Sequence, residues 1–345
     1  MVVGKTLGHY RILEKLGSGG TGRAYLAEDI TRGRRVALKI LPAATTSSVE
    51  HRQRFEREAR ALVALSHPNV LSLLDFGEDG GVAFAVMELL EGRTLRQLLD
   101  EGRLSPVEAM EYARQMADGL GTSHARGLVH RKLRPENVFI AKGGKVRILD
   151  FGLAEEKADE PTSYLAPEQV RGQAADSRSD VFSFGAVLYE MLSGDAAFGG
   201  GSPAATESSI LNDHPPQLLN KNRNVPPRLA EIVDRCLKKN PEERFQSAQD
   251  IGESIEALSE ERTTDRPPIV DEEPTRKRHK WKFFLAFLVI FGPAVLAIAF
   301  LHLTSDLRAQ RQRAQPQLDE PDGTGRFQSD GEKGDPELPT GHPHR

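Results

Sequence analysis

Between Phe283 and Leu301 the chain runs for 19 residues without a charge, FFLAFLVIFGPAVLAIAFL, and this run decides how everything else can be organised. At about 1.5 Å per residue, a helix of this length spans the roughly 30 Å hydrocarbon core of a bilayer. Helices buried in a protein core are rarely apolar on every side over such a length. The expectation is a transmembrane helix over residues 283–303. Its place in the sequence excludes a cleaved N-terminal signal peptide, and Gly292-Pro293 falls mid-span, where a kink is tolerable inside lipid. Arg276, Lys277, Arg278, Lys280 and Lys282 precede the run, whereas Arg308, Arg311 and Arg313 follow it. That basic excess predicts a cytoplasmic N-terminal side, with Trp281 at the interface. The same cluster is suited to anionic headgroups, although a topogenic role accounts for it. The expected location is the cell membrane, single-pass, with the tail outside.

The remainder divides around the span. Residues 304–345 have no apolar periodicity and carry Pro, Gly, Asp and Gln throughout, which predicts a disordered tail. Residues 259–282 read as a flexible linker and basic juxtamembrane segment. Residues 1–8 are an N-terminal extension, and 9–258 form the globular domain. A hydrophobic content of 38% over 345 residues agrees with a partly unstructured chain. The net charge of -4 announces no nucleic-acid partner, and the sole cysteine, Cys236, excludes a disulfide framework or a Cys-based metal cluster. Its apolar setting, EIVDRCLKK, predicts a small buried hydrophobe.

Within the domain, residues 9–16, 25–28 and 35–41 are strand-like runs separated by Gly-rich turns. Residues 49–65 carry Phe55, Ala59, Leu62 and Leu65 on one helical stripe. Beyond Leu95 the pattern is mainly helical, as in 107–124 and 180–192. The picture is a small β-rich lobe followed by a larger helical one.

Gly17-Ser18-Gly19-Gly20-Thr21-Gly22 lies between two strand patterns. Glycines there let the backbone approach phosphates and aim N–H groups at them. A dinucleotide-binding turn would need a helix directly afterwards; here Arg23-Ala24-Tyr25-Leu26 reads as strand, and Val36-Ala37-Leu38-Lys39 lies on another. With these residues the chain resembles the eukaryotic-like protein kinase family, especially the bacterial membrane-anchored Ser/Thr kinases, over essentially all of 9–258. The resemblance implies an α+β, bilobal protein-kinase fold plus one transmembrane helix, with ATP and Mg²⁺ as cofactors. It assigns Lys39 to the nucleotide's α- and β-phosphates and Glu58, in FEREARAL, to its ion-pair partner. Gly17, Gly19, Gly22, Ala24, Ala37, Glu88, Leu90 and Phe139 fall in the nucleotide pocket, Met87-Glu88-Leu89-Leu90 being the hinge. Asn137 and Asp150, the latter in Asp150-Phe151-Gly152, match the metal ligands. Ala166-Pro167-Glu168 closes the activation segment. Asp180 and Arg244 resemble large-lobe anchors, Arg244 pairing with Glu168.

Two departures bear on catalysis. Where the family has the aspartate of its HRD triplet, this sequence reads His130-Arg131-Lys132. A carboxylate there accepts or orients the substrate hydroxyl's proton; an ammonium has three donors and no acceptor. Arg134 replaces a lysine two positions on and keeps the charge. Pro161 stands where a threonine hydroxyl would bond the missing aspartate, and the stretch from Asp150 to Glu168 is only 19 residues long. Thr162 and Ser163 read as ordinary turn residues, and Ala24 replaces the valine that usually covers the adenine.

These residues predict a membrane-anchored pseudokinase that binds ATP with Mg²⁺ and acts on protein partners, such as an active kinase or its substrates. An active Ser/Thr kinase that tolerates Lys132 is the alternative. A nucleotide-free scaffold is a third reading, opposed by the retention of Gly17, Gly19, Gly22, Lys39, Glu58, Asn137 and Asp150.

Overall fold

A computed structural model describes residues 2–19, 22–42, 48–151 and 163–264, all within the first of the chain's two units, Met1–Pro268. The apolar run at 283–301, the basic segment before it and the tail lie outside the described residues. Among the described residues, no helix is long and apolar enough to cross a membrane.

The first lobe is a sheet with one helix against it. Strands β1 (Thr6–Leu7), β2 (Tyr10–Gly19), β3 (Gly22–Asp29), β4 (Arg34–Ile40), β5 (Leu73–Asp79) and β6 (Val82–Met87) pair in the order β1-β2-β3-β4-β6-β5. Alternation puts Tyr10, Ile12, Tyr25, Ala27, Val36, Leu38, Phe84 and Val86 together in a buried cluster, the period-two pattern of a half-buried sheet. Helix α1 (Val49–Val63) starts at Ser48, whose side chain accepts the His51 N–H, and buries Phe55, Ala59 and Leu62. Phe55 meets Phe76 of β5 edge-on, 5.7 Å between ring centroids. Glu58 therefore rides beside this buried stripe.

A three-stranded sheet, β7 (Gly92–Thr94), β8 (Val138–Ala141) and β9 (Lys145–Ile148), follows, with the short α2 (Leu95–Leu99) directly after β7. Helix α3 (Pro106–His124) begins in a capping box of Ser105 and Glu108. Short α4 (Pro167–Val170) precedes α5 (Ser177–Ser193), which is buried on every side from Ser179 onward and so forms the axis of the lobe. It stops at Gly194, whose φ of 85° is the left-handed conformation glycine adopts freely. The remaining helices are α6 (Pro203–Asn212), α7 (Leu218–Lys221), α8 (Pro227–Cys236) and α9 (Ala248–Thr264). Cys236 is fully buried against α5: a Cβ added at Gly185 would lie 2.5 Å from the cysteine's own Cβ. Burial pushes its thiol pKa up, as expected of a structural cysteine.

The boundaries differ from expectation where pairing or helix continuation overrides local pattern. β2 extends to Gly19 and β3 starts at Gly22, because the glycine hairpin itself joins the ladder. Residues 6–7 of the N-terminal extension add a strand to β2. α9 continues to Thr264, six residues into the expected linker, since no proline intervenes before Pro267.

Candidate functional site

The glycines occupy the β2–β3 hairpin, with Gly17 opposite Ala24 and Gly19 opposite Gly22; Gly20 and Thr21 lie outside the described residues. Ala24 is in turn opposite Lys39, and Leu26 is opposite Ala37, so these four share one face of the β3–β4 pair. Lys39 is buried at 6% exposure on the second strand in from the hairpin. On its other side β4 pairs with β6, Ala37 opposite Met87. At the end of β6, the Glu88 carboxylate accepts the Ser72 N–H at 3.0 Å and lies 3.7 Å from Arg147. Its side chain is thus engaged in structure, and its backbone N–H donates to the Ser72 carbonyl at 3.2 Å, leaving the Glu88 carbonyl and the backbone of 89–90 as the polar edge for a base. Leu90 is half-buried, and Phe139, on β8, pairs with Thr94 and Arg147.

Across from the hairpin, the loop His130–Asn137 is tied down by hydrogen bonds. Asp180, fully buried on α5, accepts the backbone N–H groups of His130 and Arg131, each at 2.7 Å, and contacts His124 Nε2 at 2.8 Å. The His130 ring bonds the Leu149 carbonyl through Nε2 at 2.7 Å, accepts the Lys132 N–H through Nδ1 at 3.1 Å, and lies 4.7 Å from the Phe151 ring. One neutral tautomer satisfies both bonds, and burial pushes the His130 pKa down. Asn137 donates its side-chain N–H to the Lys132 carbonyl at 2.9 Å, while its own carbonyl accepts the Leu149 N–H at 2.8 Å. Asp150 is thereby held beside the loop.

Two residues here adopt a conformation that costs a side chain about 1–2 kcal/mol. Arg131 has φ 68° and Asp150 φ 61°, the two non-glycine residues with positive φ among the described residues. Arg131 is pinned at both ends: its N–H by Asp180, its carbonyl by the Gln169 amide at 2.8 Å.

The charges of the site pair differently from expectation. Lys39 Nζ lies 2.7 Å from Asp150 Oδ1, whereas Glu58 Oε1 accepts from Arg131 at 2.8 Å and from Arg54 at 3.4 Å. The expected Lys39–Glu58 pair is replaced by these. The reason is local: Glu58 faces two guanidiniums, one its own i−4 neighbour, and Asp150 presents its carboxylate to the buried lysine. Arg134 pairs with Glu136 at 2.9 Å. The Lys132 ammonium nitrogen is buried from solvent.

The large-lobe anchors meet as expected. Arg244, 1% exposed, grips Glu168 in a two-pronged pair of 2.8 and 2.9 Å, and Ser179 donates to the same carboxylate at 2.7 Å. Burial alone would raise the Glu168 pKa, but the hydrogen bonds from Arg244 and Ser179 outweigh it and hold the carboxyl below its ordinary value. Two features had no signal in the sequence. One is the Glu58–Arg131 pair. The other is a buried cluster beside the activation segment, where Tyr164 donates to Glu190 at 2.5 Å and Arg96 reaches the same carboxylate at 2.8 Å. Gly152, Pro161 and Thr162 lie outside the described residues.

A small sheet lobe with a glycine hairpin and a buried strand lysine, set over a helical lobe bearing this loop, defines the two-lobed protein kinase class. A family model described as the protein kinase domain matches residues 10–254, and the chain belongs to that family, among the bacterial Ser/Thr protein kinases. It is 35% identical over 280 residues to serine/threonine-protein kinase PknB of Mycolicibacterium smegmatis, a match covering 76% of this chain and 45% of PknB. With PrkC of Bacillus subtilis the identity is 34% over 294 residues, covering 80% and 45% respectively. PknA of Mycobacterium tuberculosis is 36% identical over 289 residues, covering 79% and 66%. The chain thus spans less than half the length of PknB and PrkC. Among solved structures, the PknI kinase domain of Mycobacterium tuberculosis superposes with a TM-score of 0.63 at 27% identity, covering 74% of this chain and 99% of that one.

Membership of the family implies ATP and Mg²⁺. Asp150 and Asn137 supply the carboxylate and the amide that would hold the metal. In this structure the Asp150 carboxylate lies 2.7 Å from the Lys39 ammonium.

Proposed function

We propose that the chain is a membrane-anchored member of the kinase family that binds ATP and transfers its γ-phosphoryl group slowly or not at all. It acts as a pseudokinase, through nucleotide-biased association with protein partners such as an active kinase or its substrates. The observation that carries this reading is Lys132 itself. Its ammonium is buried in the loop at the position of the catalytic base, where only an acceptor can take a proton from a substrate hydroxyl. Retention of the hairpin glycines, Lys39, Asn137 and Asp150 supports nucleotide binding over a bare scaffold, which has no need of them. The uncharged run at 283–301 and its basic flank support a single-pass anchor with the kinase domain cytoplasmic and the tail outside.

A second reading, an active Ser/Thr kinase, is favoured by the 34–36% identity to named Ser/Thr kinases and by the dependence of phosphoryl transfer on positioning and electrostatics more than on a base. It requires Lys39 to leave Asp150. Transfer from [γ-³²P]ATP by the purified protein separates the two, with Asp150→Ala as control. The expected result is no label above that control. Robust wild-type labelling that vanishes in Asp150→Ala would establish the second reading.

A further inference from the structure

Helices α6 and α8 are each ten residues long, yet α8 buries five side chains and α6 only two, Thr206 and Ile210. The main packing partner of α6 among the described residues is the short α4. Little apolar surface therefore opposes its release. The chain on either side is anchored to the lobe independently of the helix. Before it, Phe198, 1% exposed, stacks on Phe182 of α5 with ring centroids 5.5 Å apart. After it, Tyr189 of α5 donates to the Pro216 carbonyl at 2.9 Å, and Leu218 is buried.

Between Phe198 and the N-cap Ser202 stand Gly199, Gly200 and Gly201. Gly200 is needed for fit, since a Cβ there would lie 2.5 Å from that of Ala205. The other two are not. Neither has a positive φ, and a Cβ added at either would meet nothing within 4 Å. The closed arrangement would accept a side chain at both, so glycine there makes folding lose more backbone freedom with nothing gained in fit. What it supplies is access to a second arrangement.

One tether holds the helix against this freedom. Lys239, in the α8–α9 connection, donates from Nζ to the Ile210 carbonyl at 2.6 Å and lies 3.5 Å from the Ser209 carbonyl. Ile210 is in the last turn of α6, where carbonyls lack partners within the helix and the dipole favours a cation; α6 has no basic residue of its own there. The ammonium also lies 4.0 Å from the Phe198 ring centroid. Among the described residues, Lys239 is the residue beyond 202–213 that hydrogen-bonds α6. Its own carbonyl accepts from Arg244 at 3.1 Å, which fixes the base of the tether.

We infer that α6 is a hinged arm that swings off the large lobe about Gly199 and Gly201 while the lobe stays folded, and that the Lys239 side chain is the latch holding it shut over α4. Because α4 carries Glu168 and closes the activation segment, the arm controls access to that turn. None of this depends on the nucleotide-binding reading.

The test is hydrogen–deuterium exchange, read by mass spectrometry, on the full-length protein in detergent at one pH near 7, with urea kept well below the unfolding midpoint. In wild type the α6 amides should be at least about tenfold less protected than those of α5, with a protection that hardly responds to urea, the mark of a local opening that exposes little surface. Lys239→Met should speed α6 exchange by about tenfold, the scale of a hydrogen bond from a charged group, and leave α1 in the other lobe as it was. Gly199→Ala combined with Gly201→Ala should slow α6 exchange by about threefold, and it tests the hinge even if Lys239→Met does not fold. Protection of α6 equal to that of α5, or falling with urea as steeply, would mean that the helix opens only when the lobe unfolds, and overturns the inference. Exchange of α6 unchanged in Lys239→Met removes the latch, and exchange unchanged or faster in the glycine variant removes the hinge; either overturns it as well.

Discussion

Glu58 of α1 is ion-paired with Arg131 of the catalytic-type loop at 2.8 Å, and that pairing separates it from Lys39. Arg54, one turn earlier on α1, adds a weaker contact at 3.4 Å. The carboxylate therefore ties the helix to the large lobe and does not position the lysine. Lys39 is positioned by Asp150. It follows that Glu58→Ala should change ATP affinity by less than about threefold, far from the tenfold loss expected of a group that orients the phosphate-binding lysine. The same substitution should cost about 1 kcal/mol of stability, the scale of a partly exposed charged hydrogen bond. Titration of ATP and urea unfolding of the variant check both halves. A tenfold affinity loss would mean that the lysine does exchange partners in solution.

Arg244 and Glu168 form a buried ion pair in the large lobe. Arg244 is essentially inaccessible and spends its donors on the Glu168 carboxylate and on the carbonyls of Lys238 and Arg178. Removing one partner of such a pair strands a buried charge, at a cost of about 3–5 kcal/mol, whereas removing both costs less. Arg244→Met should lower the unfolding midpoint by roughly 10 °C in a domain of this size. Arg244→Met combined with Glu168→Gln should recover part of that loss. Thermal denaturation followed by circular dichroism measures it, and equal melting of the single and double variants would contradict the account.

A third expectation concerns pH. His130 is fully buried, its pKa pushed down by burial against weaker upward pulls from Asp180 and the Leu149 carbonyl. Above about pH 6.5 neither the folded nor the unfolded chain protonates this imidazole. Below it the unfolded chain takes up a proton that the folded chain refuses, so stability falls as pH drops through that value and on toward the folded pKa. A proton on Nδ1 would also face the Lys132 N–H, donor against donor. Denaturation midpoints recorded from pH 7.5 to 5 should decline, and His130→Phe should flatten that part of the profile. A wild-type decline retained in full by the variant would assign it to other groups.

Much of this was legible because strong local signals agreed with the global fold. The stripe Phe55, Ala59, Leu62 gave α1, and the all-round apolar stretch after Asp180 gave the buried α5. Arg244 and Glu168 met as their motifs required. The Lys39–Glu58 pair did not, because partner choice depends on which charges the tertiary structure brings within reach, and Arg131 is 73 residues from Glu58 in sequence. The short strands β7, β8 and β9 were equally hidden: three or four residues carry too little periodicity to be read before their pairing is known. The end of α9 is hidden for the opposite reason, since a polar helix and a polar linker have the same composition.

The last expectation returns to Lys132. A positioned general base is worth about 10²–10⁴ in rate, or roughly 3–5 kcal/mol of barrier. Replacing the ammonium by a carboxylate restores an acceptor for the hydroxyl proton. Three features remain against it. Lys39 still neutralises Asp150 at 2.7 Å, and Glu58 is still engaged by Arg131. Pro161 also withholds the hydroxyl that would orient a restored aspartate. Lys132→Asp should therefore raise phosphotransfer to a generic protein acceptor by about tenfold to a hundredfold, at or below the lower limit of the range for a general base. Because the transferred phosphoryl group needs its charge neutralised by the metal, the gain should appear only with Mg²⁺ present. Adding Pro161→Thr should bring a further increase that Pro161→Thr alone does not. Initial rates of ³²P incorporation for the four proteins, read against Asp150→Ala, decide the matter. A Lys132→Asp protein no faster than wild type would show that the residue at position 132 does not limit transfer.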